Sequence, residues 1–343
     1  MRIGLAFDLK TAVAAAPGLP DDGSEEYDSP ETIDSLTAEL ERRGHEAVLL
    51  RGGCAFLQNV LSEKVDLVFN IAEGRGCYRA REGQVPGVLE MLGIPYVGSD
   101  PLTLALCLDK PLAKRIALSG GVVTPRYQVI ESVDDLLHFR DSDINFPVIV
   151  KPAFEGSSKG IHLDSWVGHL NQMCSLVKAL LETYHQPALV EEFVPGIEVT
   201  VGLVGHQSPQ VVGVMEVVPL SGPDENFMYT LEVKRNWRQM VGYRCPPNIP
   251  QEWVQHIEDL ALTAFRVLGC RDMARMDFRV NCQGQAYFIE ANPLPGLSPT
   301  YGDLPIMGGL TGWGYSRLVG AILDSALQRY GIVHQEYAHR TAV

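Results

Sequence analysis

The first seventy residues alternate strand and helix, and that order restricts the fold more than any other feature of the chain. RIGLAFDL reads as a strand. A helix follows over Pro30 to Arg43, with Ser29 as N-cap, Pro30 at the first helical position, Glu31 and Asp34 in the first turn and Gly44 as the stop. Its apolar face is Ile33, Leu36 and Leu40. AVLLR, the helical AFLQNVLSE and VDLVFNIAE complete a β-α-β-α-β order, which implies a parallel sheet covered by helices. Such sheets bind ligands beyond the carboxyl ends of their strands. The loop NIAEGRGCYRAREG, residues 70 to 83, leaves one such end.

PGVLEMLG continues as helix, GIPYVGSDP as a short strand and turn, and LDKPLAKRIALSGG as a further helix, with a first boundary near residue 105. From there to residue 195 come VIVKP, a glycine loop, an amphipathic helix near 166 to 184 and the strand ALVEEFV. The remainder is strand-rich (EVTVGLVG, QVVGVMEVV, MARMDFRV, AYFIEAN), with helices at 251 to 268 and 314 to 329. It lacks the regular alternation of the start, so α/β gives way to α+β.

A length of 343 residues accommodates two or three such units. The formal net charge of −14 excludes a global basic field, so neither nucleic acid nor an anionic membrane is an expected partner. Anionic ligands must be met by local charge. Seven scattered cysteines never form CxxC, which argues against a zinc site or a disulfide framework and for reduced thiols in the cytoplasm. Asp8 and Lys10 interrupt the apolar run a secretory signal would need, and no stretch approaches the ~18 apolar residues of a membrane helix.

Chemistry is concentrated in two places. VIVKPAFEGSSKGI is not a Walker A loop, because GxxxxGK is absent. Gly156 and Gly160 nevertheless let backbone amides turn toward an anion, Ser157 and Ser158 add donors, and Lys151 ends the preceding strand as a fixed positive charge. Taken alone, a loop of this composition is more often a polar turn after a strand. In MARMDFRV, period-two alternation puts Arg275 and Asp277 on one face and Met276 and Phe278 on the other. YFIEANP likewise puts Glu290 and Asn292 together. If the two strands are neighbours, Asp277, Glu290 and Asn292 converge beside one guanidinium. Such hard oxygen donors suit Mg²⁺ shared with nucleotide phosphates.

Taken in order, GQVPGVLEMLGIPYVGSD, LDK, VIVKPAFEGSSKGI, LVEEFVPGIEVTV, EVK, VLGCRDMARMDF and FIEANPLPGLSP resemble the ATP-grasp superfamily, and within it the D-alanine:D-alanine ligase group. The resemblance runs from about residue 65 nearly to the end. It implies a Rossmann-like domain over 1–105, a central ATP-grasp subdomain over 106–195 and a C-terminal one over 196–343 that clamps ATP. It further implies that Lys110 and Lys151 contact ATP phosphates and that the 156–160 loop closes over the γ-phosphate. Glu191, Glu192 and the backbone at Val194 would meet adenine, Glu198 the ribose, and Lys234 the phosphates from a loop. Asp277, Glu290 and Asn292 would hold Mg²⁺ or Mn²⁺. Arg275 and the Gly296 N–H match the family's oxyanion residues, and Ser298 and Tyr301 are expected at the substrate.

Three departures stand out. The family's Gly-Gly-x-Ser-x-Glu turn after the first strand is replaced by AFDLKTAVAAAPG, its His by Glu73, and a loop Tyr by Arg235 in EVKRNW, leaving Ser157 without its usual partners. The family also has Lys where Glu192 stands. A guanidinium binds a carboxylate bidentately, so Arg235 is expected to meet a substrate carboxylate and Glu73 a substrate amine; pairing with each other or with solvent is the competing expectation. The implied activity is ATP-dependent ligation of a carboxylate to an amine through an acyl phosphate, on amino-acid-like substrates. D-alanine:D-alanine ligation, a natural-product ligase of the mycosporine type, an ATP-grasp kinase and a non-catalytic nucleotide-binding regulator are the alternatives. Dimerisation through the N-terminal domain is common in similar proteins.

Overall fold

A computed structural model describes residues 1–13, 20–137, 139, 143–222 and 224–332. Strands β1 (Arg2–Ala6), β2 (Glu46–Leu49), β3 (Leu67–Asn70) and β4 (Tyr96–Val97) pair in the order β2-β1-β3-β4, all parallel. The helix Pro30–Arg42 starts where Ser29 Oγ accepts the Thr32 N–H at 3.3 Å, and Gly53–Ser62 is the second crossover. Helix and sheet bury Ile33, Leu36 and Leu40 against Ile3, Leu5 and Phe69. The alternation read from the sequence is therefore the first sheet.

Strands β5 (Tyr127–Ile130), β6 (Val148–Pro152), β7 (Trp166–Val167) and β8 (Ala188–Glu192) form a second, antiparallel sheet in the order β5-β8-β6-β7. It has its own core, Val148, Val150, Val167 and Val190 under the helix Leu170–Tyr184. Strands β9 (Ile197–Gly205), β10 (Gln210–Pro219), β11 (Val241–Arg244), β12 (Asp272–Val280) and β13 (Ala286–Asn292) form a third, ordered β11-β10-β9-β12-β13 and antiparallel throughout. One face packs on the helix Gln251–Val267. On the other side its core is continuous with that of the first sheet: Leu36 and Phe69 belong to one cluster with Met273, Leu304 and Leu318. Asp272 joins the same parts through polar contacts, accepting from the Gly98 N–H at 2.9 Å, Ser325 Oγ at 2.8 Å and Arg329 Nη2 at 2.6 Å.

Several elements escape the sequence reading. The helix Pro101–Leu108 spans the boundary placed near residue 105. Its eight residues, PLTLALCL, are too uniformly apolar to show a helical stripe, but Asp100 as N-cap and Pro101 at the first position mark its start. Lys234 lies on a short helix, Leu231–Arg235, capped by Thr230, and not on a loop. Residues 14–18 of AFDLKTAVAAAPG and the final residues 333–343 lie outside the described part of the chain.

Candidate active site

The third sheet fulfils the condition on its two charged strands. In β12 and β13, Arg275 stands opposite Asn292 and Asp277 opposite Glu290, so all four polar side chains share one face. Asn292 Nδ2 donates to Asp277 Oδ2 at 3.1 Å and to Glu290 Oε1 at 3.4 Å. Turning that amide would present its oxygen beside the two carboxylates. Burial pushes the Glu290 carboxyl up, but Lys110 at 2.7 Å and nearby Lys151 outweigh it and hold it well below the ordinary range. The set is hard, oxygen-bearing and ringed by lysines, which fits Mg²⁺ or Mn²⁺ carried by a polyphosphate.

Two cavities meet over this face. The smaller, about 110 Å³, is an apolar slot between the second and third sheets lined by Ile149, Ile161, Phe193, Met228 and Ile289, with Lys151, Glu191, Glu198, Asp277 and Glu290 at its polar wall. The larger, about 560 Å³, is lined by Lys110, Glu73, Glu82, Ser157, Arg235, Asn292, Gly296 and Tyr301 among others. Tyr229, Lys234, Arg275 and Asp303 line both and form the partition. Arg275 donates to both oxygens of Asp277 and, through Nη1 at 2.8 Å, to Asp303, a partner that no motif singles out. Burial lowers the Lys234 ammonium, the Arg275 charge adding to it, and its Nζ sits 5.3 Å from the Tyr229 ring centroid.

The glycine loop crosses the mouth of both cavities. Ser157 and Ser158 have φ of 53° and 59°, left-handed values that cost a side-chain-bearing residue roughly 1–2 kcal/mol each. The loop is held there by Ser158 Oγ donating to Tyr229 O at 3.0 Å and by the Leu231 N–H donating to Ile161 O at 2.9 Å. Consecutive serines thus separate, Ser157 lining the large cavity and Ser158 the slot.

Strand alternation splits the adjacent glutamates in the same way. Glu191 is buried at the slot, its Oε1 accepting from Lys151 at 3.0 Å and its Oε2 paired with Lys114. Lys114 is fully buried, and burial pushes its ammonium down to about 8 despite Glu191. On a helix it reads from sequence as an ordinary exposed lysine. Glu192 points the other way and accepts from Asn145 N and Nδ2 at 2.8 and 2.9 Å, so its side chain is not brought to the slot. The Val194 carbonyl accepts from Arg279 Nε at 2.6 Å. Ser298 is also withdrawn: it is fully buried, 3.2 Å from Thr300 Oγ1, while Tyr301 lines the large cavity.

Arg235 and Glu73 both face the large cavity but do not pair with each other. Arg235 donates Nε and Nη2 to Glu25 Oε1 at 3.1 and 2.7 Å, and Glu25 Oε2 accepts from Lys10 at 3.0 Å. Glu25 comes from the run SEEYDS, after β1. Behind it, Arg81 and Lys159 are both buried and both paired with Glu26 and Glu155.

Comparison with known proteins places this geometry. Residues 119–324 match the family described as D-ala D-ala ligase C-terminus. A D-alanine–D-alanine ligase of Pelotomaculum thermopropionicum is 30% identical over 90% of this chain and 95% of that protein. The chain belongs to the D-alanine–D-alanine ligase family of ATP-dependent carboxylate–amine ligases. An uncharacterized protein of Sinorhizobium fredii, y4sG, is more similar, 36% identical over 87% of this chain and 88% of its own. In fold, the family member from Bacillus anthracis whose crystal structure is complexed with ATP superposes with a TM-score of 0.74 at 22% identity, covering 96% of this chain and 98% of that one. The ATP-grasp fold expected from the motifs is therefore the fold observed.

Proposed function

We propose that this ligase joins two amino-acid-like substrates through an acyl phosphate, releasing ADP and phosphate in the cytoplasm. The observation that carries the reading is the partition: a slot between the second and third sheets and a larger polar cavity share Lys234, Arg275 and Asp303. ATP in the slot and the amino acids in the large cavity would meet there. Magnesium bound with ATP supplies charge neutralisation at the phosphates.

The residues divide the work by position. Lys110 and Lys151, each anchored by a carboxylate, offer fixed positive charge to the phosphates, and Lys234 adds a third from the partition. Ser158 and the 157–160 backbone cover the γ-phosphate side. Glu198, at the slot's polar wall, suits the ribose. Arg275, held on two sides by Asp277 and Asp303, is pre-aimed at the charge that develops when an amine attacks the acyl carbon, with the exposed Gly296 N–H as second donor. Loss of one such donor typically costs on the order of 10² to 10³ in rate. A kinase stops after phosphoryl transfer and has no use for these two groups.

The test is product identity. Incubation with Mg·ATP and an amino-acid library should release ADP and phosphate only when both a carboxylate and an amine are supplied, with a product mass equal to the two substrates less water. A phosphorylated small molecule would replace the reading by a kinase, and ATP binding without turnover by a regulator.

A further inference from the structure

The large cavity holds more negative charge than its cations satisfy. Glu25 is neutralised by Lys10 and Arg235, and Glu26 and Glu155 by Arg81 and Lys159. Asp28, Glu73 and Glu82 line the same wall, yet among the described residues none of their side chains has a hydrogen-bond or ion-pair partner. Glu82 is decisive, because it is only 8% exposed and lines the cavity with no direct hydrogen bond or ion pair, Arg81, Lys110 and Lys159 acting on it only at longer range. Burial disfavours the charged form of such a carboxyl until a cation meets it, so the wall suits a cationic partner that arrives from outside. Carboxylates spread along a wall suit an organic cation.

We propose that Asp28, Glu73 and Glu82 form a subsite for a second positive charge on one amino-acid substrate, so that the enzyme ligates a diamino acid or a similarly cationic amino acid. The proposal rests on the ligase reading for its place in the reaction, but the subsite is a binding claim in its own right. Burial and the neighbouring Asp8 push the Asp28 carboxyl up to about 7. Burial, Glu82 and Glu26 raise Glu73 well above its ordinary value, and burial brings Glu82 to about 7 against the opposing pull of Arg81. An incoming ammonium relieves that repulsion and ionises the wall.

The experiment uses the full chain with D- and L-ornithine as probes and D- and L-norvaline as their neutral isosteres. Calorimetry should show one ornithine enantiomer binding on the order of 10²-fold more tightly than the matching norvaline, because a site built for a polar group rejects the analogue lacking it. Glu73→Gln and Glu82→Gln should each bring that ratio toward one while leaving ATP affinity unchanged. Both substitutions relieve like-charge repulsion, so the variants should fold, which thermal unfolding checks. Equal binding of ornithine and norvaline, or a preference that survives the double variant, overturns the subsite. ATP-dependent ligation of neutral amino acids alone would overturn the subsite and leave the ligase reading standing. Selective ornithine binding with no ADP release when Mg·ATP and the amino-acid library are also supplied would support the subsite and sink the ligase reading.

Discussion

Substituting Glu191 tests both the strand alternation and the electrostatics of the slot. In Glu191→Gln the side chain keeps its size but loses the charge shared by Lys151 and Lys114. Lys114 then has only neutral acceptors, Thr124 Oγ1 at 2.9 Å and Phe288 O at 3.3 Å. Its ammonium already stands at about 8, so at pH 7 it escapes by shedding a proton at an added cost of about 1.4 kcal/mol, one pKa unit's worth. Losing the charge-assisted bond to Lys151 adds about 1.5–3 kcal/mol. The expected loss is therefore about 3–4 kcal/mol at pH 7, near the range for breaking a buried pair. By pH 9 the Lys114 share should vanish, because wild-type Lys114 is then neutral too, and the gap should narrow by about 1.4 kcal/mol. Glu192→Gln, one residue away on the exposed face, should cost less than about 1 kcal/mol. Urea unfolding of the three proteins at pH 7 and pH 9, followed by tryptophan fluorescence, reads all of this. Equal costs for the two glutamates, or a Glu191→Gln loss below about 1 kcal/mol, would refute the reasoning.

Gly160 has φ +69°, and a Cβ there would lie 2.4 Å from Pro152 Cγ, a ring atom that cannot swing aside. Gly160→Ala should cost about 2–4 kcal/mol and weaken ATP binding, seen by thermal unfolding and nucleotide titration. The acidic wall gives a pH dependence. Asp28 and Glu82 hold protons in the fold up to about 7, whereas the unfolded chain releases them near ordinary carboxylate values, so between about 4.5 and 7 the native state binds more protons and stability falls as pH rises. Facing these groups are Asp8, Glu26, Glu73, Arg81, Lys110 and Lys159. Glu82→Gln should flatten the fall in melting temperature across that window; identical pH profiles would contradict it. Arg235 and Glu25 are partly exposed, so Arg235→Ala should change stability by less than about 1 kcal/mol while raising amino-acid KM. Unchanged KM and kcat would remove Arg235 from the substrate site.

What sequence could reveal was set by period and spacing. Alternation in MARMDFRV and YFIEANP assigns faces without any knowledge of the fold, and β12 and β13 then pair as neighbours with Asp277 opposite Glu290. Alternation also separates Glu191 from Glu192, but a family pattern that treats both as adenine contacts hides it. Asp303 and Lys114 are different. Their importance comes from Arg275 and Glu191, partners 28 and 77 positions away that only folding brings near. The acids of SEEYDS look like solvated charge before a helix, the usual state of such residues. Glu26 is instead held by Arg81 and Lys159, partners that no local pattern encodes.

The core common to the first and third sheets has a mechanical consequence. The beginning and end of the chain cannot part without exposing Leu36, Met273 and Leu318 to water, so together they behave as a fixed anvil. The middle stretch carries its own core and meets that anvil through polar contacts and not through shared apolar packing: Gly160 N–H to Asp22, Lys110 Nζ to Glu155 O, Ser158 Oγ to Tyr229 O, and the buried pairs of Arg81 with Glu155 and Lys159 with Glu26. Any widening of the slot would therefore divide the chain at this seam, with the second sheet on one side and the first and third together on the other.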